Sequence, residues 1–259
     1  MCIRDSVTES RKDCVLFASP PREAVVNNVG NEVEDVTTFA NNLRASSYGF
    51  LDSGYKYQYD KYNDTYRWVP INGDIAGLCV RTDLSNDPWF SPAGYNRGRI
   101  KNVTRLAWNP SSAARELLSK DSVNAVIKED GEGFLLFDDR TLLKKNSPFR
   151  ALGVRRLFIT IEKAIAIDAK YALFEFNDDF TRAQFRNRTV PYLRDIQGRR
   201  GIVNFEVICD DTNNTEEVID REEFVGDIFI RPNRSIRGIQ LNFVAVRGSV
   251  RFDEIVGQF

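Results

Sequence analysis

Residues 147–178, SPFRALGVRRLFITIEKAIAIDAKYALFEFND, restrict the possible folds more than any other part of the chain. Val154, Leu157, Phe158, Ile161 and Ile165 recur at i, i+3, i+4, i+7 and i+11, which lays a continuous apolar stripe along one face of an α-helix. Arg155, Arg156, Glu162 and Lys163 then face away. After the helix, residues 172–176 read as a buried strand, and Asp178 or Asp179 caps a second helix. The apolar positions of that helix are Phe185, Thr189, Leu193 and Ile196; Pro191 should kink or divide it, and Gly198 and Gly201 should end it. The pattern is α/β, and it carries no reactive group.

Beyond it, Val203, Phe205, Val207 and Cys209 alternate with mostly polar residues as a one-sided strand does, and so do Ile239, Leu241, Phe243 and Ala245. Between them the spacing predicts a short acidic helix over 216–223 and a strand over 227–230, stopped by Pro232. A last strand-like segment, Val250-Arg251-Phe252-Asp253, follows Gly248.

The first half is less regular. A short apolar run over 14–18 reads as a buried strand, and a helix over 33–45 carries Val36, Phe39, Ala40 and Leu43 behind a cap at Asn31. Tyr55, Tyr57 and Tyr59 form a half-exposed strand that turns at Asn63-Asp64; such a stripe either packs across a hairpin or stacks on bases. A helix over 72–82 with Ile75, Ala76, Cys79 and Val80 on one face leads into DPWFSPAG, residues 87–94, a rigid proline-bracketed loop. Another helix is expected over 112–120. Strands over 123–128 and 133–137 should pair across the Asp130-Gly131 turn. We place a domain boundary at Ser147-Pro148, giving units 7–147 and 148–259. The opening MCIRDS lacks the apolar core of a signal peptide and resembles a translated adapter remnant, so residues 1–6 are set apart and the native protein is expected to begin upstream.

The chain holds no histidine, which removes Ser-His-Asp and Cys-His catalysis and histidine-ligated metals. Nucleophile elbows, phosphate-binding loops and dinucleotide turns lack their glycine signatures. Carboxylates remain: Asp138-Asp139, Glu175 with Asp178-Asp179, and Asp210-Asp211 could bind a divalent cation, or serve as turn and cap residues at element ends. A carboxylate metalloenzyme would require Asp138, Asp139, Glu175 and Asp178 to converge in one pocket. Thirty-six basic residues against 37 acidic ones give no global field to attract nucleic acid or an anionic membrane. Basic clusters at Arg97, Arg99, Lys101 and Arg105 and along 182–200 therefore read as solvated faces or protein contacts. No apolar run approaches the roughly 20 residues of a membrane span. Cys2, Cys14, Cys79 and Cys209 are widely separated, as isolated thiols of a reducing compartment are.

Taken in order, RWVPINGDIAG, DPWFSPAG followed by NRG, LLFDDRTLL, SPFRALGVRRLFITIEKAI, LFEFND, CDDTNNT and DIFIRPNRSIRGIQLNFVAVR resemble the tail sheath family of contractile, T-even-type bacteriophages from about residue 13 to residue 259. The resemblance implies part of a subtilisin-like, non-catalytic α/β middle domain followed by a smaller α/β C-terminal domain with a mixed sheet and packed helices. It implies a structural subunit of the virion tail, without enzymatic activity or cofactor. That subunit would be assembled in the host bacterial cytoplasm as a helical sheath around a tail tube, contracting to drive the tube through the host envelope. Other sheath subunits, the tail tube protein, and baseplate and tail terminator proteins would be its partners, with no nucleic acid and no membrane insertion. A related bacterial contractile injection particle is the nearest alternative. Under the resemblance Val250, Arg251, Phe252 and Asp253 match the strand that links neighbouring subunits. The alternative for this segment is an edge strand of the chain's own sheet. The acidic residues Glu216, Glu217, Asp220, Glu222 and Glu223 are the candidate tube contact, or else a solvated helix with acids near its N-terminus.

Overall fold

A computed structural model describes residues 2–237 of the chain, with the backbone alone for 2–6. The elements in chain order are α1 (Cys2–Arg11), β1 (Leu16–Ala18), α2 (Glu32–Asn42), β2 (Gly49–Asp52), β3 (Tyr55–Asp60), β4 (Thr65–Pro70), α3 (Asn72–Ser85), β5 (Arg105–Leu106) and α4 (Ser112–Lys120). They continue with β6 (Val123–Asn124), β7 (Val126–Glu129), β8 (Gly133–Leu136), α5 (Leu152–Ala169), α6 (Asp179–Gly198), β9 (Ile202–Ile208), α7 (Glu216–Asp220) and β10 (Asp227–Pro232). The architecture is mixed α/β.

Its first core is built on a parallel sheet in the order β1-β2-β6, with Leu16 opposite Gly49 and Leu51 opposite Val123. All four residues of β2 are buried, as expected of a parallel strand covered on both faces. The period of two splits them: Leu51 joins Val36 and Ala40 of α2 and Leu118 of α4, whereas Phe50 joins Ile75, Leu78 and Cys79 of α3. One strand thus seeds two cores. The buried face of α3 is Ile75, Leu78, Cys79 and Thr82, so the predicted membership of Val80 is corrected; it is 58% exposed. The helix reaches Ser85, and i, i+3, i+4, i+7 from Ile75 selects Leu78 and Thr82.

Beside this sheet the tyrosine stripe proves to be cross-strand packing. Tyr57 lies 5.4 Å from Tyr66 and 4.8 Å from Trp68 across the β3–β4 hairpin, and the Arg105 guanidinium sits over Tyr57 and Trp68. β7 and β8 pair across the expected turn, with Val126 opposite Leu136 and Gly131 at positive φ, whereas Val123 and Asn124, expected in the same strand, leave it as β6 to pair with β2. Ser111 caps α4 by accepting from the Ala114 N–H at 3.3 Å. Asn31 precedes α2 without a side-chain cap bond; its backbone carbonyl accepts from the Asp35 N–H instead.

The second body packs α5 and α6 against the antiparallel β9–β10 pair, joining Leu157, Ile161, Leu193, Ile196 and Ile202 in one cluster. Arg155, expected outside, is only 7% exposed. Its Nε and Nη2 donate to the Ser47 hydroxyl at 3.0 and 2.7 Å, and its guanidinium lies 4.2 and 4.0 Å from the Tyr48 and Phe149 rings. Hydroxyls and π-faces rather than a carboxylate make that burial tolerable. Residues 172–176 do not form the predicted buried strand: α5 runs to Ala169, tightens into a 3₁₀ turn over Lys170–Ala172, and Phe174 follows at φ 69°. Too few extended residues remain to form a ladder. Pro191 does not divide α6, which is continuous over 20 residues because Thr189, Leu193 and Ile196 anchor it on both sides of the proline. Gly198 is the last helical residue, and Arg200, not glycine, takes the positive φ beyond it. The predicted strands over 239–245 and 250–253 lie outside the described residues.

Candidate assembly surfaces

The DPWFSPAG loop joins the two bodies. The Trp89 ring packs against the cluster of Leu157, Ile161, Leu193, Ile196 and Ile202, while Ala93, four residues on, packs against the cluster around Phe50. The Trp89 indole N–H donates to the Arg199 carbonyl at 3.1 Å, the Arg199 guanidinium lies over the ring, and it pairs with Asp87. Arg156 of α5 reaches back to Asp83 and to the Pro88 carbonyl. Two glycines permit this closeness. A Cβ on Gly153 would lie 2.5 Å from the Trp89 carbonyl oxygen, and one on Gly201 would lie 3.1 Å from the Trp89 ring and 2.6 Å from Ile196. Sequence reasoning found the loop but not this role, because nothing local in it reveals a partner 110 residues away.

The acidic segment is presented by a densely hydrogen-bonded loop. Asn214, 2% exposed, donates to the Asp210 and Val225 carbonyls and accepts from the Val225 N–H; Asn213 donates to the Ile208 carbonyl and to Asp227. Arg182 bridges Asp179 and Asp211 at 2.6 and 2.7 Å. CDDTNNT is therefore turn chemistry that holds α7 in place. The helix is shorter than predicted, Glu216–Asp220, because Glu222 adopts φ 56°. Glu216, Glu217, Asp220, Glu222 and Glu223 are all exposed.

Neither β9 nor β10 has a further strand beside it among the described residues. Phe205, Val207, Ile228 and Ile230 face the helices and Phe229 faces out, 56% exposed, while Val203, 48% exposed, is the extra residue where the register shifts between Arg231 and Pro232. Val250, Arg251, Phe252 and Asp253 lie outside the described residues.

The carboxylates separate. Asp138 and Asp139 pair with Arg237, and Arg140 adds a second contact to Asp138 at 3.0 Å. The Asp139 carbonyl accepts from the Leu152 N–H, which puts the pair at the start of α5. Glu175 and Asp178 lie beyond the other end of α5, a helix of 18 residues that spans about 27 Å. The four do not meet in one pocket, and Asp178 is occupied in capping α6, accepting from the Thr181 N–H at 2.9 Å. That bond holds its pKa below the usual carboxylate value. Among the described residues no cluster of three or more Cys, Asp or Glu is placed to hold a metal. Burial pushes the Asp139 carboxyl up, against the opposing influence of Arg237. Asp52 is fully buried at the end of β2 and pushed up to about 8 by desolvation, although Ser19 and the Gly54 N–H donate to it.

The basic clusters are largely spoken for. Arg97 donates to the Ser91 carbonyl, Arg105 covers Tyr57 and Trp68, and Arg182 and Arg186 tie α6 to the 209–211 loop. Cys14, Cys79 and Cys209 are unpaired. No described helix is long and apolar enough to cross a membrane.

Comparison with known proteins gives these surfaces a family. The tail sheath protein of Vibrio phage KVP40 is 46% identical over 98% of this chain and 40% of its own length. That of Enterobacteria phage T4 is 45% identical over 97% of this chain and again 40% of its own length. The chain thus spans 40% of the curated relatives it matches. Among solved structures, the PVC sheath complex of an extracellular contractile injection system in the contracted state superposes with a TM-score of 0.75 at 20% identity, over 87% of this chain and 62% of that one. The contracted helical sheath of the anti-feeding prophage gives 0.71 at 18%, over 89% and 61%. The phage tail sheath protein central domain model matches residues 2–142 and the phage tail sheath C-terminal domain model matches residues 144–245. Covered by these two models in succession, the chain belongs to the phage tail sheath protein family.

Proposed function

We propose that this chain is part of a structural subunit of a contractile phage tail sheath, which polymerises around a tail tube and contracts to drive it through the host envelope. The observation that carries the reading is the succession of the two sheath domain models along one chain, with phage sheath relatives at 45–46% identity. The contracted injection-system sheaths favour, second, a subunit of a related bacterial injection particle. The higher identity to phage proteins supports the first reading.

In this reading residues 7–147 belong to a subtilisin-like middle domain and 148–259 to the sheath C-terminal domain. A parallel sheet between helices in a chain without histidine supports a scaffold use of that fold, without enzymatic activity. Val250, Arg251, Phe252 and Asp253 act as the donor strand to a neighbouring subunit, and a two-stranded β9–β10 sheet, marginal alone, supports such augmentation. The exposed acids Glu216, Glu217, Asp220, Glu222 and Glu223 face a basic tube surface. Baseplate and terminator proteins bound the sheath at its two ends, in a virion tail assembled in the host cytoplasm. Expression of the full-length gene should give ordered tubes by electron microscopy. Monomers alone, under assembly-permissive salt, would reject the proposal.

A further inference from the structure

The chain leaves β10 along an exposed strap, residues 233–237, that is tied down at its two ends. At the near end the Asn233 N–H donates to the Gly201 carbonyl at 3.1 Å, and its side-chain amide donates to the Arg200 carbonyl at 3.2 Å. At the far end Arg237 pairs with Asp138 through Nη1 and with Asp139 through Nη2. Between the ties no hydrogen bond holds Ser235 or Ile236 among the described residues, and Ile236 is 84% exposed. The far tie crosses a boundary. Asp138 and Asp139 lie within the stretch matched by the central domain model, and Arg237 within that matched by the C-terminal one.

The two carboxylates are not equivalent. Asp138 is held even without Arg237, because it accepts from the Ser119 hydroxyl at 2.9 Å, from the Asp139 N–H at 2.8 Å and from Arg140 Nε at 3.0 Å. Asp139 is 4% exposed, and its Oδ2 has no hydrogen-bond partner among the described residues; the nearby Ser91 hydroxyl favours the charged form without completing a bond. A buried carboxylate so poorly supplied depends on Arg237. The backbone beneath is fixed: Asn124 of β6 donates to the Leu51 and Arg140 carbonyls and accepts from the Arg140 N–H, and the Asp139 carbonyl accepts from the Leu152 N–H. Arg140 and Arg150 stand by the same pair, and Arg150 is pulled below the usual guanidinium value by burial and then by Arg140 and Arg237. Two arginines already balance two aspartates, so Arg237 arrives as a surplus cation.

We propose that Asp138 and Asp139 are the fixed half of a latch whose moving half is Arg237, and that its release frees the root of the chain beyond Arg237 while both bodies stay folded. Release is linked to a proton. Burial raises the Asp139 pKa, Arg237, Ser91 and Arg140 oppose the rise, and Asp138 adds to it. The latched carboxyl therefore binds a proton less tightly than the released one, so the latch opens as pH falls. From α3 the Cys79 thiol also faces Asp139, but burial pushes it up to about 11 and keeps it neutral there. The latch does not rest on the sheath reading.

The test is backbone ¹⁵N relaxation on the full chain. Ser235 and Ile236 should show order parameters of about 0.85 in the wild type and below about 0.6 in Arg237→Gln, with α6 unchanged. Asp139→Asn, which mimics the proton, should loosen the strap likewise. Equal order at 235–236 in wild type and Arg237→Gln overturns the proposal. So does a loss of order that spreads into α6, because the contact would then hold a body rather than a strap. In the same samples the Asp139 carboxyl is titrated by ¹³C NMR. Its midpoint should lie about one pH unit higher in Arg237→Gln, a tenfold tighter hold on the proton, and wild-type order at 235–236 should fall as Asp139 protonates. A midpoint that does not move with Arg237 overturns the proton-linked latch. Failure of the full-length gene to form tubes would reject the sheath reading and leave these outcomes unchanged.

Discussion

The β1-β2-β6 sheet and the β9–β10 sheet solve the same problem differently. In the first, helices cover both faces, and Phe50 and Leu51 are each 0% exposed. In the second, helices cover one face, while Phe229 and Val203 remain about half exposed and no third strand is present among the described residues. A sheet sealed on both faces closes a core and can be carried as a rigid unit. A sheet with an open face and open edges is equipped to accept more chain. The DPWFSPAG loop ties the two together, because Trp89 packs on the second core and Ala93 on the first.

The contrast can be broken most severely at its sealed side. Leu51→Ala should cost about 3–4 kcal/mol in urea unfolding, since the deleted side chain leaves a cavity between sheet and helices. By contrast Val203→Ala, at the half-exposed irregularity of β9, should change stability by about 0.5 kcal/mol or less. Equal losses at the two positions would erase the distinction. Next in size is the junction. Gly201→Ala, which drives a methyl against Ile196 and the Trp89 ring, should cost about 2 kcal/mol. It should also raise limited proteolysis in the 87–94 loop; unchanged cleavage there would argue that the bodies are not coupled through Trp89.

A smaller effect comes from Asp52. Its folded pKa of about 8 lies above the value of about 4 expected unfolded, so the native state holds a proton that the unfolded state releases between those values. Its contribution to stability should therefore fall as pH rises from about 4 to about 8 and level off above. Asp52→Asn should remove that slope, read as the wild-type minus variant difference in urea midpoint across pH. A difference that does not vary with pH would show that the carboxyl stays ionised in the fold. Smallest is the acidic surface. Glu216→Gln with Glu217→Gln and Asp220→Asn should leave stability within about 0.5 kcal/mol. In the sheath reading the same changes weaken salt-sensitive attachment to a tube, measured by co-sedimentation at low and high ionic strength.

Much of the fold was legible along the chain. The helices over Ser112–Lys120, Leu152–Ala169 and Asp179–Gly198, the β3–β4 and β7–β8 hairpins and the β9 and β10 strands follow from apolar period, caps and turn residues that act within a few positions. The misses share one physical origin. Arg155 reads as a solvated charge until Ser47, Tyr48 and Phe149 surround it, and residues 172–176 read as a buried strand because their apolar density demands a cover that period alone does not locate. Val80 was misplaced because both i+4 and i+5 from Ile75 are apolar, and packing against the sheet chose Cys79.

The candidate site divides in the same way. The sequence by itself determined the absence of histidine chemistry, the acidic run at 216–223 and the uncharged stretch at 239–245, because composition and spacing are local properties. Only the tertiary structure decided that Asp138 and Asp139 stand a helix length from Glu175 and Asp178, that Trp89 couples two bodies, and that Phe174 and Phe176 are left exposed by the described residues. Each of those is a relation between residues far apart in the chain, and it comes into being when burial of apolar surface selects one packing of the elements over the others.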